Sequence, residues 1–254
     1  MQYKNLKLSK LESALFDMRM LFEQYGYSQY KVSKFESYDL YAKNKAFLVS
    51  DNVLTFTDTT GHLMALKPDV TLSIVKNTVS DKGLSKLYYS ENVYRTSGSS
   101  QGFKEIMQTG LECIGEVDLY STAEVLMLAA KSLKAVNKDY ILDISHMGFI
   151  SSLISENIQA EYTKELLELI SQKNSAQTEA LLSEIGVNED VKQALLTLTS
   201  LYMPLNDALK IIRPLVLNDY MQEAFDELVE INKLMKVYGV KNLYLDFSVI
   251  NDMR

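Results

Sequence analysis

The chain has 254 residues, 47% apolar and 23% charged, with a formal net charge of −7. That length holds one large domain or two smaller ones, and ten glycines and three prolines leave little room for long flexible linkers. The acidic balance excludes a general polyanion binder, which carries a basic excess, although a local basic patch is not excluded. A single cysteine, Cys113, cannot form an intramolecular disulfide, which fits a reducing, cytoplasmic setting. There is no apolar run of about 18 residues, and MQYKNLKLSKLESALF lacks the apolar core of a secretory signal, so no membrane association is expected.

In chain order, SKLESALFDMRMLFEQYGY (9–27) reads as a helix opened by a Ser9–Glu12 capping box. Leu11, Leu15, Met18, Leu21 and Phe22 recur at helical spacing, and Gly26 suits the residue just past the end. An extended arm covers 30–37. Short strands follow at AFLVS (46–50) and VLTFTD (53–58), with Asp51 and Asn52 between them, and TTGH turns into LMALK (63–67). After Pro68, DVTLSIVKNTVS has helical spacing through Leu72, Val75 and Val79. KLYYSENVYR (86–95) alternates as a strand, breaks into a Ser/Gly loop and returns as EIMQTGLECIG. A second capping box, Ser121 with Glu124, opens an amphipathic helix to about Val136. YILDISH (140–146) reads as a strand, and MGFISSLI begins another helix.

From about 155 to 237 helical patterns dominate, without a convincing strand. NLYLDFSVI (242–250) is then a strand with no downstream partner before Arg254. The expected class is therefore α+β: an antiparallel sheet flanked by helices in residues 1–154, a helical insertion at 155–238 and a return strand at 239–254.

Several chemistries are missing. There is no GxxxxGK[ST] loop, no GxGxxG and no GxSxG elbow. His62 and His146 belong to no HExxH or Cys/His cluster, so neither a metal nor a cofactor is expected. A site would instead use Arg, Lys, Gln, Asp and Glu. Alternation puts Ile106, Gln108, Gly110, Glu112 and Ile114 on one face. Glycine inside a strand marks a close approach by a ligand or backbone, so Glu112 and Gln108 could line a slot for a cationic group. A solvent-facing strand with a bulge accounts for the same letters more economically. Arg95 offers a bidentate fork for a carboxylate or phosphate, or is a surface arginine at a hairpin rim. Asp69 and Thr71 either cap a helix or line a polar pocket at its start. His146 follows a strand and reads as a helix cap rather than a catalytic group, and Tyr88, Tyr89 and Tyr94 as sheet packing.

Taken together, these segments resemble the class II aminoacyl-tRNA synthetase catalytic fold, in its histidyl branch. LFEQYGYSQYKVSKFES looks like the dimer-forming first motif, FTDTTGHLMALKPDVT like the strand ending in Arg-Pro-Glu-Gly-Thr, and NVYRTSGSSQGFKEIMQTGLECIG like the second motif. LYLDFSVINDMR resembles the approach to a histidine-binding turn. The helical stretch fits the branch's insertion.

The departures are specific. Ser97 stands where the second motif carries its adenine-holding glutamate, Lys104 is the only basic group in GFKEIMQ, and Asn251 replaces an arginine that aids adenylate formation. The third motif, with its ATP-binding arginine, is missing from the sequence up to Arg254, where the resemblance would normally continue through further strands. Other residues resemble a paralogous family, the regulatory subunits of ATP phosphoribosyltransferase. These are Pro68-Asp69-Val70-Thr71, and Asp143-Ile144-Ser145-His146-Met147-Gly148 with Ser145 in a glycine's place. The usual proline of the first motif is Ser33 here.

The resemblance implies that Gln108 and Glu112 hold an amino group, that Asp69 and Thr71 close that pocket and that Arg95 meets a carboxylate or phosphate. Lys104 would be an accessory anion contact. It implies a subunit without catalytic activity of its own, self-dimerised through the first motif. The expected partner is a short-form catalytic phosphoribosyltransferase in a hetero-octamer, with histidine as effector and no tRNA. The alternative is a divergent histidyl-tRNA synthetase or a catalytic fragment of one.

Overall fold

Ser9 and Glu12 close the expected box. Ser9 Oγ accepts from the Glu12 amide at 3.2 Å, and Glu12 Oε2 accepts from the Ser9 amide at 2.8 Å. Helix α1 (Lys10–Gln24) follows and ends before Gly26, whose φ of +82° supplies the left-handed turn. The computed structural model describes residues 8–43, 53–78, 83–96 and 102–249. The expected strand at 46–50, Asp51–Asn52, Val79, Ser97 and Asn251 lie outside them. The chain divides into two compact units, the first running to Ser121 and the second from Thr122 to Asn251.

In the first unit, β1 (Ser28–Gln29) and β2 (Phe35–Ser37) are short, and α2 (Tyr38–Lys43) leads towards β3 (Thr55–Thr57) and β4 (Leu63–Leu66). Asp58 organises the β3–β4 turn by accepting from the amides of Thr60 and His62 at 2.8 and 2.9 Å. Helix α3 (Thr71–Asn77) precedes the long strands β5 (Ser85–Thr96) and β6 (Phe103–Ile114). These two form an antiparallel ribbon in unbroken register from Ser85↔Ile114 to Thr96↔Phe103. Strand β1 adds to β5 in parallel, while β2 and β3 flank β4 antiparallel. The antiparallel sheet expected from alternation is thus present, and two residues of parallel pairing extend it.

Helix α1 lies on the ribbon. The Phe22 ring centroid is 5.6 Å from that of Tyr88, and Tyr88 Oη donates to Glu23 Oε1 at 2.9 Å. On the ribbon's other face, Val70 and Ile74 of the α3 region pack with Val32, Tyr89 and Val93 into a buried cluster. Of the apolar residues at helical spacing, Leu11 in α1 is 60% exposed and Val75 in α3 53%. Helical spacing names a stripe but not what covers each end of it. The far end of β6, Phe103 to Met107, is also exposed.

Helix α4 (Leu119–Val136) begins two residues before the expected cap. Asp118 does the capping, accepting from the Ser121 amide at 2.7 Å, and Ser121 and Glu124 are buried inside the helix instead. Two candidate caps three residues apart are equivalent by pattern, and the local chain path chooses between them.

The second unit contains β7 (Leu142–Ile144), α5 (Met147–Asn157), α6 (Ala160–Ser171), α7 (Ser175–Glu184), α8 (Glu189–Ser200), β8 (Tyr202–Pro204), α9 (Leu205–Ile212), α10 (Asp219–Val237) and β9 (Leu243–Asp246). The expectation of no strand within 155–237 is corrected by β8. Strand β9 finds its partners upstream, β7 in parallel and β8 antiparallel. Helices α5 and α10 pack together, joined at their polar edge by Asn218, which caps α10 at the Met221 amide (2.8 Å), accepts from Ser152 Oγ (2.8 Å) and donates to Glu156 (2.7 Å). His146 sits at the N-cap of α5 but makes no side-chain cap bond. Its Nε2 lies 2.9 Å from Glu227 Oε2 on α10.

Ile74 is fully buried against Tyr89 and Val93. Ile74→Ala should lower stability by about 2–5 kcal/mol, the usual loss for an aliphatic core truncation. Urea unfolding measures it, and a loss under about 1 kcal/mol would show that this cluster does not carry the first unit.

Candidate functional site

The ribbon's register decides which side chains meet. Residues directly opposite in an antiparallel pair share a face. Leu87 pairs with Glu112, Tyr89 with Gly110, Glu91 with Gln108, Val93 with Ile106 and Arg95 with Lys104. The face predicted from β6 alone is therefore shared with Tyr89, Glu91 and Arg95 of β5.

Over this face runs the segment from Lys67 to Thr71. The carbonyl of Lys67 accepts from the Tyr94 amide at 3.0 Å, which seats the segment on β5. The Lys67 side chain is fully buried, donating to Glu91 Oε2 at 2.8 Å and to the Val32 carbonyl at 3.3 Å. Arg95 Nε donates to the Pro68 carbonyl at 2.8 Å and Arg95 Nη2 to Gln108 Oε1 at 3.2 Å. Gln108 Nε2 in turn donates to Tyr89 Oη at 3.0 Å. Thr71 Oγ1 donates to Glu112 Oε1 at 2.7 Å. Asp69, also buried, accepts from the Leu72 amide at 3.1 Å, so it serves as a helix cap while staying beside the site.

Five of the six predicted site residues thus come together: Asp69, Thr71, Arg95, Gln108 and Glu112. Lys104 does not join them. It is exposed opposite Arg95, and among the described residues no hydrogen bond ties it to the others. Lys67, Tyr89 and Glu91 are additional members. Pairing β5 against β6 from the loop outward, with Arg95 opposite Lys104, would have found Tyr89 and Glu91. The buried lysine carries no comparable signal in sequence.

Gly110 has a local reason. A Cβ there would lie 2.5 Å from Tyr89 Oη and 2.6 Å from Cζ, so the glycine admits the tyrosine ring across the ribbon. The close approach foreseen at this position belongs to a side chain rather than to a ligand or backbone.

The electrostatics are one-sided. Burial holds the Glu112 carboxyl above its usual range, and the charge of Asp69 adds to this, against the Thr71 hydrogen bond. Tyr89 is pushed up to about 12 by burial and then by Glu112, so it keeps its proton at neutral pH. Among the described residues no cation pairs with Glu112. The cradle has an acidic, hydroxyl-lined end at Glu112, Asp69 and Thr71, Lys67 offsets Glu91, and the Arg95 guanidinium lies at the other end. Such an arrangement favours an ammonium beside Glu112 and an anion beside Arg95.

Two outcomes follow. Gly110→Ala should lower stability by about 1–3 kcal/mol, as overpacking does, because the buried Tyr89 ring must move; unchanged urea unfolding would remove the tyrosine from this role. Glu112→Gln should raise the thermal midpoint at neutral pH. Its folded carboxyl is raised, so the wild-type penalty is full above the folded value and is relieved as pH falls through it towards the unfolded range. The two proteins should therefore converge in acid, and a variant less stable at neutral pH would reverse the sign.

A family model described as histidyl-tRNA synthetase matches residues 5–254. The ATP phosphoribosyltransferase regulatory subunit of Oceanobacillus iheyensis is 28% identical over 239 residues, covering 91% of this chain and 58% of that protein. The histidine–tRNA ligase of Methanosarcina acetivorans is 30% identical over 238 residues, covering 91% of this chain and 56% of its own. The chain thus spans under three-fifths of the length of these two relatives. A solved regulatory subunit/histidyl-tRNA synthetase from Bacillus halodurans superposes with a TM-score of 0.82 at 20% identity, covering 98% of this chain and 67% of that one. An ATP phosphoribosyl transferase complex from Thermotoga maritima gives 0.68 at 19% identity, covering 96% and 83%. These likenesses carry the class II synthetase-like fold, and with the match over 5–254 the chain belongs to the histidyl-tRNA synthetase family.

Proposed function

We propose that this chain acts as a regulatory subunit of ATP phosphoribosyltransferase, without catalysis of its own, and that the cradle on the β5–β6 ribbon receives the amino-acid effector histidine. One observation carries the reading. Groups suited to a zwitterion (Glu112, Thr71 and Asp69 for an ammonium, Arg95 for a carboxylate) stand on one face, whereas Ser97 and Asn251 occupy positions where the resemblance places adenine-contacting and adenylate-forming residues. The relative from Oceanobacillus iheyensis, named as such a subunit, supports it. In this reading residues 155–238 are an insertion and 239–254 return to the core. The protein dimerises through its first motif, assembles with the short-form catalytic subunit in the cytoplasm as a hetero-octamer and does not use tRNA. Among the described residues no helix is long and apolar enough to cross a membrane. Effector binding acts by favouring one conformation of the assembly over another.

The second reading, a divergent histidyl-tRNA synthetase, is favoured by the 30% identity to the Methanosarcina acetivorans ligase. Histidine-dependent pyrophosphate exchange separates the two. The regulatory reading expects none from the isolated protein, together with co-purification of a catalytic phosphoribosyltransferase; clear exchange overturns it. Within the complex, Glu112→Ala should weaken histidine binding by on the order of 2 kcal/mol or more, the scale for removing one member of a buried charge pair, and leave assembly intact. Titration calorimetry showing an unchanged histidine response would take Glu112 out of the site. Binding should also weaken as pH falls through the raised Glu112 value, because only the carboxylate pairs with an ammonium.

A further inference from the structure

A cavity of about 280 Å³ opens in the second unit between the start of α9, the end of α10 and the approach to β9. Its floor is apolar: Leu205, Met235, Val240 and Leu243 are all buried. Its rim is polar and basic, with Asn206, Asn232, Lys236 and Lys241. Asn206 Oδ1 accepts from Lys236 Nζ at 2.6 Å and from Asn232 Nδ2 at 3.4 Å, so one amide oxygen gathers the rim donors.

The charge balance at this rim is unlike that of nearby lysines. Lys210 is paired with Asp207 at 2.7 Å and Lys233 with Glu230 at 2.6 Å. Lys236 has only a neutral oxygen for partner, no carboxylate lines the cavity, and among the described residues none pairs with Lys236 or Lys241. In a chain of net charge −7, two lysines without a carboxylate partner among the described residues stand at the mouth of an apolar recess.

We propose that this cavity binds a small amphipathic anion, with a carboxylate or phosphate headgroup between Lys236 and Lys241 and an apolar body on Leu205, Met235, Val240 and Leu243. The volume lies at the small end for ligand pockets, which limits the body to one ring or a short branched chain. The site lies wholly within the second unit and does not rest on the function proposed for the β5–β6 cradle.

Titration calorimetry of the full chain at low salt tests it, with 3-phenylpropionate and benzyl phosphate as anionic probes. 3-Phenylpropanol serves as the neutral counterpart and inorganic phosphate as the headgroup alone. At least one anionic probe should bind saturably at one site, at least tenfold more tightly than the alcohol and than inorganic phosphate. The preferred probe identifies the headgroup. A Lys236→Met, Lys241→Met double variant, which keeps the alkyl stems, should lose tenfold or more in affinity with its circular dichroism unchanged. Lys241→Met alone, at a position outside any helix or strand, should weaken binding in the same direction. Absence of saturable binding by both anions overturns the proposal. So does a double-variant loss of less than tenfold, or inorganic phosphate binding as tightly as benzyl phosphate.

Discussion

The chain from Lys67 to Thr71 crosses the face of the β5–β6 ribbon and is bonded to it at Lys67, Pro68 and Thr71. Lys67 contributes a carbonyl to Tyr94 and an ammonium to Glu91, Pro68 a carbonyl to Arg95, and Thr71 a hydroxyl to Glu112. Each bond alone is of modest net worth, about 1 kcal/mol for a neutral pair and somewhat more where one partner is charged. Together they leave the segment no independent path, so the geometry of α3 and of Asp69 follows from the ribbon. Pro68 suits this role, since its fixed φ and missing N–H remove a donor that would otherwise need a partner at the crossing. Remove the crossing and the two halves of the cradle have no fixed relation.

The crossing also explains a buried lysine. Burying an ammonium is unfavourable unless it is paired and hydrogen-bonded, and Lys67 is fully buried with both a carboxylate and a carbonyl within reach. Glu91 is thereby neutralised within the ribbon. Glu112, four register positions from Gln108 and about 13 Å along the strand, has a hydroxyl but no described cation. Two carboxylates on one ribbon therefore have opposite electrostatic situations, one closed by a structural cation and the other open.

Local sequence signals were legible where the physics is local. The Ser9–Glu12 box, Gly26 as helix stop, the two long strands around the Ser/Gly loop and the shared face of Gln108 and Glu112 all follow from spacing of a few residues. Pairing was not legible to the same degree. That Tyr89 fills the space over Gly110 depends on which residue of β5 lies opposite it, a register set by the whole ribbon. Strand β8 escaped because three residues ending in proline carry no alternation to read. Strand β9 looked partnerless because its partners come earlier in the chain, one of them about a hundred residues before it. The choice of Asp118 over Ser121 as the α4 cap was likewise beyond spacing, since both fit the pattern.

An amino-acid pocket that had lost its purpose would be free to shed its unfavourable charges. A glutamine at 112 could keep an acceptor for Thr71, and an asparagine at 69 could still cap α3, each without placing a charge in a poorly solvated place. Most substitutions that relieve such a penalty are open to a chain under no functional demand, because stability is then the remaining constraint. Instead Glu112 keeps a carboxyl raised by burial and by its acidic neighbour, and Arg95 is held farther along the same face through Pro68 and Gln108. In the reading proposed above, the ammonium of a bound amino acid would relieve the unfavourable charge at Glu112.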